Sequence, residues 1–264
     1  MPGVFRCSGH RILLVAALSL WGAPSMAAGP MTTDQVRAAV AAAPSGKVDL
    51  SGRDMSHADL TGLDLSGANL AGANLSGANM HGVKLVGTDL TGANLSSADL
   101  TFAWIIRANF TGARLRGATL QTVVTSTGME NTPDQAATFV GADLSDASIT
   151  VHFSFDDLRG ANFSNAHMTV NMANQSMGLL RSEFNSANLN GANFTGAGLG
   201  HVAFRFAKLN DARFNGADVS NADFTGAYLT GADFTNAKVQ GATFGSATLT
   251  GVKGLDRSGG GSAK

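Results

Sequence analysis

Few residues in this chain have the type and spacing to do chemistry. His152 with Asp156 and Asp157 pairs an imidazole with carboxylates, the makings of a metal site. His167, Met168, Met172 and Met177 bring imidazole and thioether together, a soft donor set that suits copper in an oxidising compartment. Asp49, Asp54, Asp59, Asp64, Asp89 and Asp99 recur at multiples of five, and two brought face to face could share acid–base work. None of these sets is joined by a nucleophile, and glycine is too frequent for any Gly-x-Gly match to mark a phosphate loop. The bland alternatives are equally concrete. Methionine fills gaps where a pattern becomes irregular, and evenly spaced aspartates decorate a solvated face. The expectation is a protein with no catalytic site, no cofactor and no dedicated metal.

The elements that would have to position these residues are set by a repeat. "GANLAGANLSGANM", Gly67 to Met80, shows its unit. Large apolar residues fall every fifth position from Leu50 through Met55, Leu60, Leu65 and Leu70 to Leu120, and no centre in that run is polar. Two residues before each centre stands mostly Ala, one before mostly Asn or Asp, and after it Ser or Thr and often Gly. A period of five fits neither a helix nor a flat strand. It requires a backbone that turns a corner every five residues, and four corners close a square coil of twenty. The centre and the Ala then face inward, while Asn/Asp, Ser/Thr and Gly take outer and corner positions. Stacking by twenty sets Asp49 on Asn69 and Asp59 on Asn79, so the walls alternate carboxylate with amide rather than pairing carboxylates.

These residues resemble the pentapeptide-repeat proteins over about Val48 to Gly251. The resemblance implies an all-β fold, a right-handed quadrilateral β-helix. The count of repeats predicts about nine coils and, at roughly 4.8 Å per stacked strand, a rod about 40 Å long. From Phe184 to Leu249 the centres alternate Phe with Leu or Val. In a four-sided coil that alternation places Phe on two opposite walls, each stacked on the Phe of the next coil. The frame slips near 125–136, 150–157 and 169–182. The first of these, containing Pro133, reads as a looped-out insertion and the second as a bulge one residue short.

The ends differ from the body. Residues 1–27 read as a signal peptide: Arg6, His10 and Arg11, then the apolar run Ile12 to Trp21, with small residues for cleavage after Ala27. Cleavage would leave 16 basic against 19 acidic residues, a net charge of −3, and would remove Cys7, the sole cysteine. Disulfides and thiol chemistry are thereby excluded, nucleic-acid binding has no electrostatic basis, and no membrane-spanning segment is left. Localisation is expected in the periplasm or outside the cell. Residues 28–47 form an N-terminal cap, in which Thr32 to Gln35 matches a capping box and predicts a helix from about Thr33 to Ala42 over the first coil. Residues 252–264 are a C-terminal cap, with Val252 and Leu255 closing the core, followed by a polar tail.

One stretch breaks the wall pattern. Phe102, Trp104 and Ile106 occupy positions that should be polar. Stacking by twenty adds Val124 beside Trp104 and Val86 beside Ile106, and Arg107 lies at the rim. An apolar patch edged by Arg is what a partner surface looks like, unless the 125–136 segment folds back over it. The function expected is therefore an exported scaffold presenting rigid walls to a protein or cell-envelope partner, with a homodimer as one arrangement. The resemblance also offers a rival, since some family members mimic DNA and bind DNA gyrase, giving quinolone resistance. Those are cytoplasmic and strongly acidic, and this chain departs on both counts. A secreted solenoid that binds metal or saccharide along its irregular middle is the remaining alternative.

Overall fold

The computed structural model describes residues 29–43, 47–128, 130–168 and 181–255. The signal peptide, the polar tail and most of the third irregular segment, with Met172 and Met177, lie outside the described residues.

The repeat unit folds as five residues must when a short extended stretch alternates with a tight turn. At each corner the carbonyl of the centre accepts a hydrogen bond from the amide three residues on, as Met55 does from Ala58 at 3.1 Å. The second residue after the centre has positive φ, which is the signature of a type II turn and the reason Gly recurs there. The Asn or Asp before the centre completes the turn. Its Oδ1 accepts the amide of the residue after the centre, as in Asp49 to Ser51 at 3.0 Å and Asn69 to Ala71 at 3.1 Å. A Thr there adds its hydroxyl, as Thr61 does on Asp59 at 2.6 Å.

Successive coils join as parallel strands do. Leu50 N donates to Asn69 O at 2.8 Å, and Asn69 N donates to Val48 O at 2.9 Å. Four ladders of such bridges run along the axis and define four walls, which begin at Asp49, Asp54, Asp59 and Asp64; the fourth is interrupted at the first insertion, Val124 ending one stretch and His152 opening the next. The step is twenty residues wherever the repeat is regular. Among the described residues the bridges lengthen into strands at one point only, β1 (Thr119–Gln121) pairing in parallel with β2 (Ser148–Thr150). The architecture is a β-solenoid with little helix.

Inside, the centres and their preceding alanines fill the coil. Leu70, Leu75, Ala73 and Phe214 are fully buried. In the second half the phenylalanines form two columns on opposite walls: Phe163, Phe194, Phe214 and Phe234 on the second, and Phe153, Phe184, Phe204, Phe224 and Phe244 on the fourth. Neighbours within a column stack 4.5–5.1 Å apart, with interplanar angles of 17° or less. The columns meet edge to face, as Phe204 and Phe214 do at 6.0 Å and 88°. Both geometries favour the ring quadrupoles.

The three slips are changes of frame. Asn109 bridges Thr138 and Asp157 bridges Asn188, steps longer than twenty, whereas Thr138 bridges Asp157 in a shorter one. The first insertion carries a 3-10 turn at Pro133–Gln135 and bonds to itself, Thr127 with Gln135 and Ser126 with Glu130. The shortening falls between Ser148 on the third wall and His152 on the fourth.

At the N-terminal end α1 (Thr33–Ala42) starts with the reciprocal Thr32–Gln35 capping box and buries Val36 completely. It is pinned to the first coils by Met31 N to Asp54 O and by Asp59 N to Thr33 Oγ1. The other end is less closed. Val252 and Leu255 pack against the last coil, but Val239, Phe244 and Leu249 stay partly exposed.

Candidate interaction surface

Among the described residues the five large apolar side chains that stand exposed are Phe102, Trp104, Phe155, Phe206 and Tyr228. Four of them lie on the fourth wall or its two edges. Trp104 is a bridge residue of that wall, between Lys84 and Val124. Phe102 sits at the corner entering it, Phe155 and Phe206 at the corner leaving it. Tyr228 is on the first wall, next around that corner. The second wall, by contrast, carries a polar ladder, with Asn74 Nδ2 donating to Asp54 Oδ1 and Asn94 Nδ2 to Asn74 Oδ1.

Of the residues nominated from sequence, the structure brings five together and removes one. Trp104 is 38% exposed and Phe102 47%. Val124, half-buried, bridges Trp104, Val86, also half-buried, stands one coil below Ile106, and Arg107 is exposed at the rim. Phe102 packs edge-on against His81, ring centres 5.2 Å apart. Ile106 does not belong to the surface, being only 2% exposed. The insertion folds back far enough to cover it: Arg107 N donates to Gln135 O at 3.0 Å, which sets the Pro133–Gln135 turn one coil above Ile106. Trp104, two residues earlier on the wall, is left open.

Phe155 and Phe206 were missed by sequence reasoning. Their signal was an aromatic two residues after an aromatic centre, Phe153-Ser-Phe155 and Phe204-Arg-Phe206, where Gly is the rule. Both adopt the left-handed turn conformation, φ 69° and 55°. A bulky side chain there carries backbone strain that glycine would relieve.

Asp156 is the second residue that the frame shift hides. Counted from the centre Leu158, it stands in the column that elsewhere holds Ala, and it is 2% exposed. Oδ1 accepts the amide of Ala137 at 2.8 Å. Oδ2 has no partner among the described residues. Burial pushes the carboxyl well above the usual carboxylate range, only partly opposed by the Ala137 amide. The folded state therefore holds this proton more tightly than the unfolded chain. Its contribution to stability is intact below the unfolded value of about 3.9 and is lost as pH rises toward the folded one. Asp156→Asn keeps the acceptor and removes the charge. The variant should melt above the wild type by a margin that widens as pH rises above the unfolded value of about 3.9 and levels off once the carboxyl is ionised in the folded state, read by thermal denaturation across a pH series.

His152 and Asp157 do not converge with this carboxyl. His152 is an exposed bridge residue of the fourth wall, and Asp157 is tied to Arg159 on the first at 2.7 Å. His167 is on the third wall. Among the described residues no group of three or more His, Cys, Asp or Glu is arranged to hold a metal ion. Among them, too, no helix is long and apolar enough to cross a membrane.

The repeats have counterparts elsewhere. A model of pentapeptide repeats matches residues 54–92 and 93–121 in eight copies, and a model of a pentapeptide repeat region matches 177–253. Among solved structures, the chain is similar to HetL, a pentapeptide repeat protein involved in heterocyst differentiation regulation in the cyanobacterium Nostoc. The identity is 28% over 77% of this chain and 84% of HetL, with a TM-score of 0.47. It is also similar to QnrB1, a plasmid-mediated fluoroquinolone resistance protein, at 22% identity over 80% of this chain and 91% of that one, again with a TM-score of 0.47. No curated protein matches. The two models together span more than half of the sequence and meet a coil whose five-residue faces and twenty-residue step are those of the repeat, and on that ground the chain belongs to the pentapeptide-repeat proteins.

Proposed function

We propose that this protein is an exported, non-enzymatic scaffold that holds a preformed wall against a protein or cell-envelope partner. The rod is read as a right-handed quadrilateral β-helix of about nine coils, placed in the periplasm or outside the cell once residues 1–27 are cleaved. The observation that carries the reading is the segregation of exposed apolar side chains. Among the described residues four of the five lie on or beside one wall, the wall whose edges also take the frame changes, while the second wall is polar and bonded side chain to side chain along its length. A rigid surface loses little conformational entropy on binding, so modest contacts suffice. Nucleic acid is not the partner in this reading, because the mature chain carries a net charge of only −3.

Trp104 is the anchor to test, since Trp concentrates binding energy when a partner desolvates it. Capture from an envelope fraction with wild type and with Trp104→Ala should differ by at least one partner. If both retain the same proteins at the same level, the fourth wall is not the protein-binding surface. Fractionation of cells should find the chain outside the cytoplasm and beginning after Ala27; a cytoplasmic chain with an intact N-terminus would sink the export half of the reading.

A further inference from the structure

The edge where the fourth wall turns into the first is not a uniform corner. Arg107, Phe155 and Phe206 all occupy its second turn position with positive φ, and all three are exposed. They precede Asn109, Asp157 and Lys208 by two residues. Along the first wall these three are each separated by two bridges, through Thr138 and through Asn188. The corner residues between the large ones are Ala136 and Ser186, and after Phe206 comes Gly226. Large and small therefore alternate, and the large side chains recur every second coil, about 10 Å apart at roughly 4.8 Å per coil. The Phe206 ring leans along the axis over Gly226, where an added Cβ would come within 2.5 Å of it. Aromatic side chains thus sit where the backbone would prefer glycine, an arrangement whose strain calls for a use.

The space between the rings is polar, and its side chains are held in place by hydrogen bonds that leave donors and acceptors over. Arg181 Nε donates to Glu183 Oε1 at 3.0 Å, Asn185 Nδ2 to Glu183 Oε2 at 3.1 Å, and Arg205 N to Asn185 Oδ1 at 3.1 Å. Beside Phe155 a cleft of about 310 Å³ is lined by Glu130, Asn131, His152, Ser154, Glu183 and Asn185. Charge along the edge is balanced, with Arg205 paired to Asp223.

A ligand for such an edge needs apolar faces that repeat every two coils and hydroxyls in between. A pyranose offers a face of C–H groups that packs on an aromatic ring, while its hydroxyls around the rim require donors and acceptors. In an extended β-linked chain equivalent faces recur every second sugar, a distance of the order of two coils. We propose that this edge is a binding site for an extended, uncharged β-linked polysaccharide lying along the rod axis, with sugars stacked on Phe155 and Phe206 and hydroxyls met by Asn185, His152 and Arg107. The proposal rests on the scaffold reading and specifies the chemistry of its envelope partner.

Isothermal titration with cellohexaose and chitohexaose, against cellobiose, tests it. At least one hexasaccharide should bind about tenfold more tightly than the disaccharide. Phe155→Ala and Phe206→Ala should each weaken that binding about tenfold, Phe155→Trp should retain it, and Tyr228→Ala on the first wall should leave it unchanged. All are surface substitutions, and unchanged melting temperatures confirm the fold. Absence of hexasaccharide binding at millimolar concentration overturns the proposal, as does equal affinity for the disaccharide, or binding that survives the double Phe155→Ala, Phe206→Ala variant. Loss of sugar binding with the Trp104-dependent protein capture intact would remove the glycan site and leave the scaffold reading standing.

Discussion

Leu70→Asp should cost several kcal/mol and strip cooperative structure from the N-terminal coils, as measured by chemical denaturation. Leu70 is fully buried, with centres of the adjoining coils, Leu50 and Leu90, above and below it. No donor is available to a carboxylate inside that column, so the substitution either buries an unpaired charge or forces the coil open. Each coil rests only on its neighbours, so damage should spread from coils around residue 70 and spare the distant phenylalanine columns. Two companions set the scale. Leu70→Met should lose less than about 1.5 kcal/mol, because Met55 and Met80 already serve as buried centres. Asn69→Asp should cost about 1 kcal/mol or less. Its Oδ1 still accepts the Ala71 amide, and the penalty comes from standing between Asp49 and Asp89 on the same ladder.

Phe204→Ala should cost about 3–5 kcal/mol, a large-to-small change in a site that cannot collapse. The ring stacks on Phe184 at 5.1 Å and on Phe224 at 4.9 Å, and meets Phe194 and Phe214 edge-on at 5.7 and 6.0 Å. Its neighbours are held at fixed height by the backbone ladders, so they cannot settle into the void. Phe204→Leu should be far milder, about 1.5 kcal/mol. The same wall runs on Leu65, Leu85 and Ile105 in the earlier coils, so the coil accommodates an aliphatic centre. A Leu variant as damaging as the Ala variant would show that the aromatic column, not the volume, holds this half together.

Much of this architecture is legible without coordinates because the physics is local. Five-residue spacing admits few backbones, and the Thr32–Gln35 pair, the alternation of Phe with aliphatic centres and the stacking of Asp49 on Asn69 all follow from short-range chemistry. What escapes is whatever depends on the frame after an interruption. Asp156 looks like another surface carboxylate until Leu158 is identified as a centre, which places it in the Ala column. Ile106 looks exposed until the Pro133–Gln135 turn is seen above it. Phe155 and Phe206 are overlooked for a different reason. A turn with positive φ is assumed to demand Gly, Asn or Asp, and only the bridge pattern shows that these rings share an edge with Arg107.

The twenty-residue step carries a consequence for ancestry. Any contact area on this rod is assembled from single letters dealt out once per circuit, with nineteen unrelated letters between them. Selection acting on one face would therefore leave a comb in the rate of substitution, with teeth a full circuit apart, and no contiguous signature for a motif search to find. Two descendants could share every partner yet look alike only when their sequences are folded into columns and read downward.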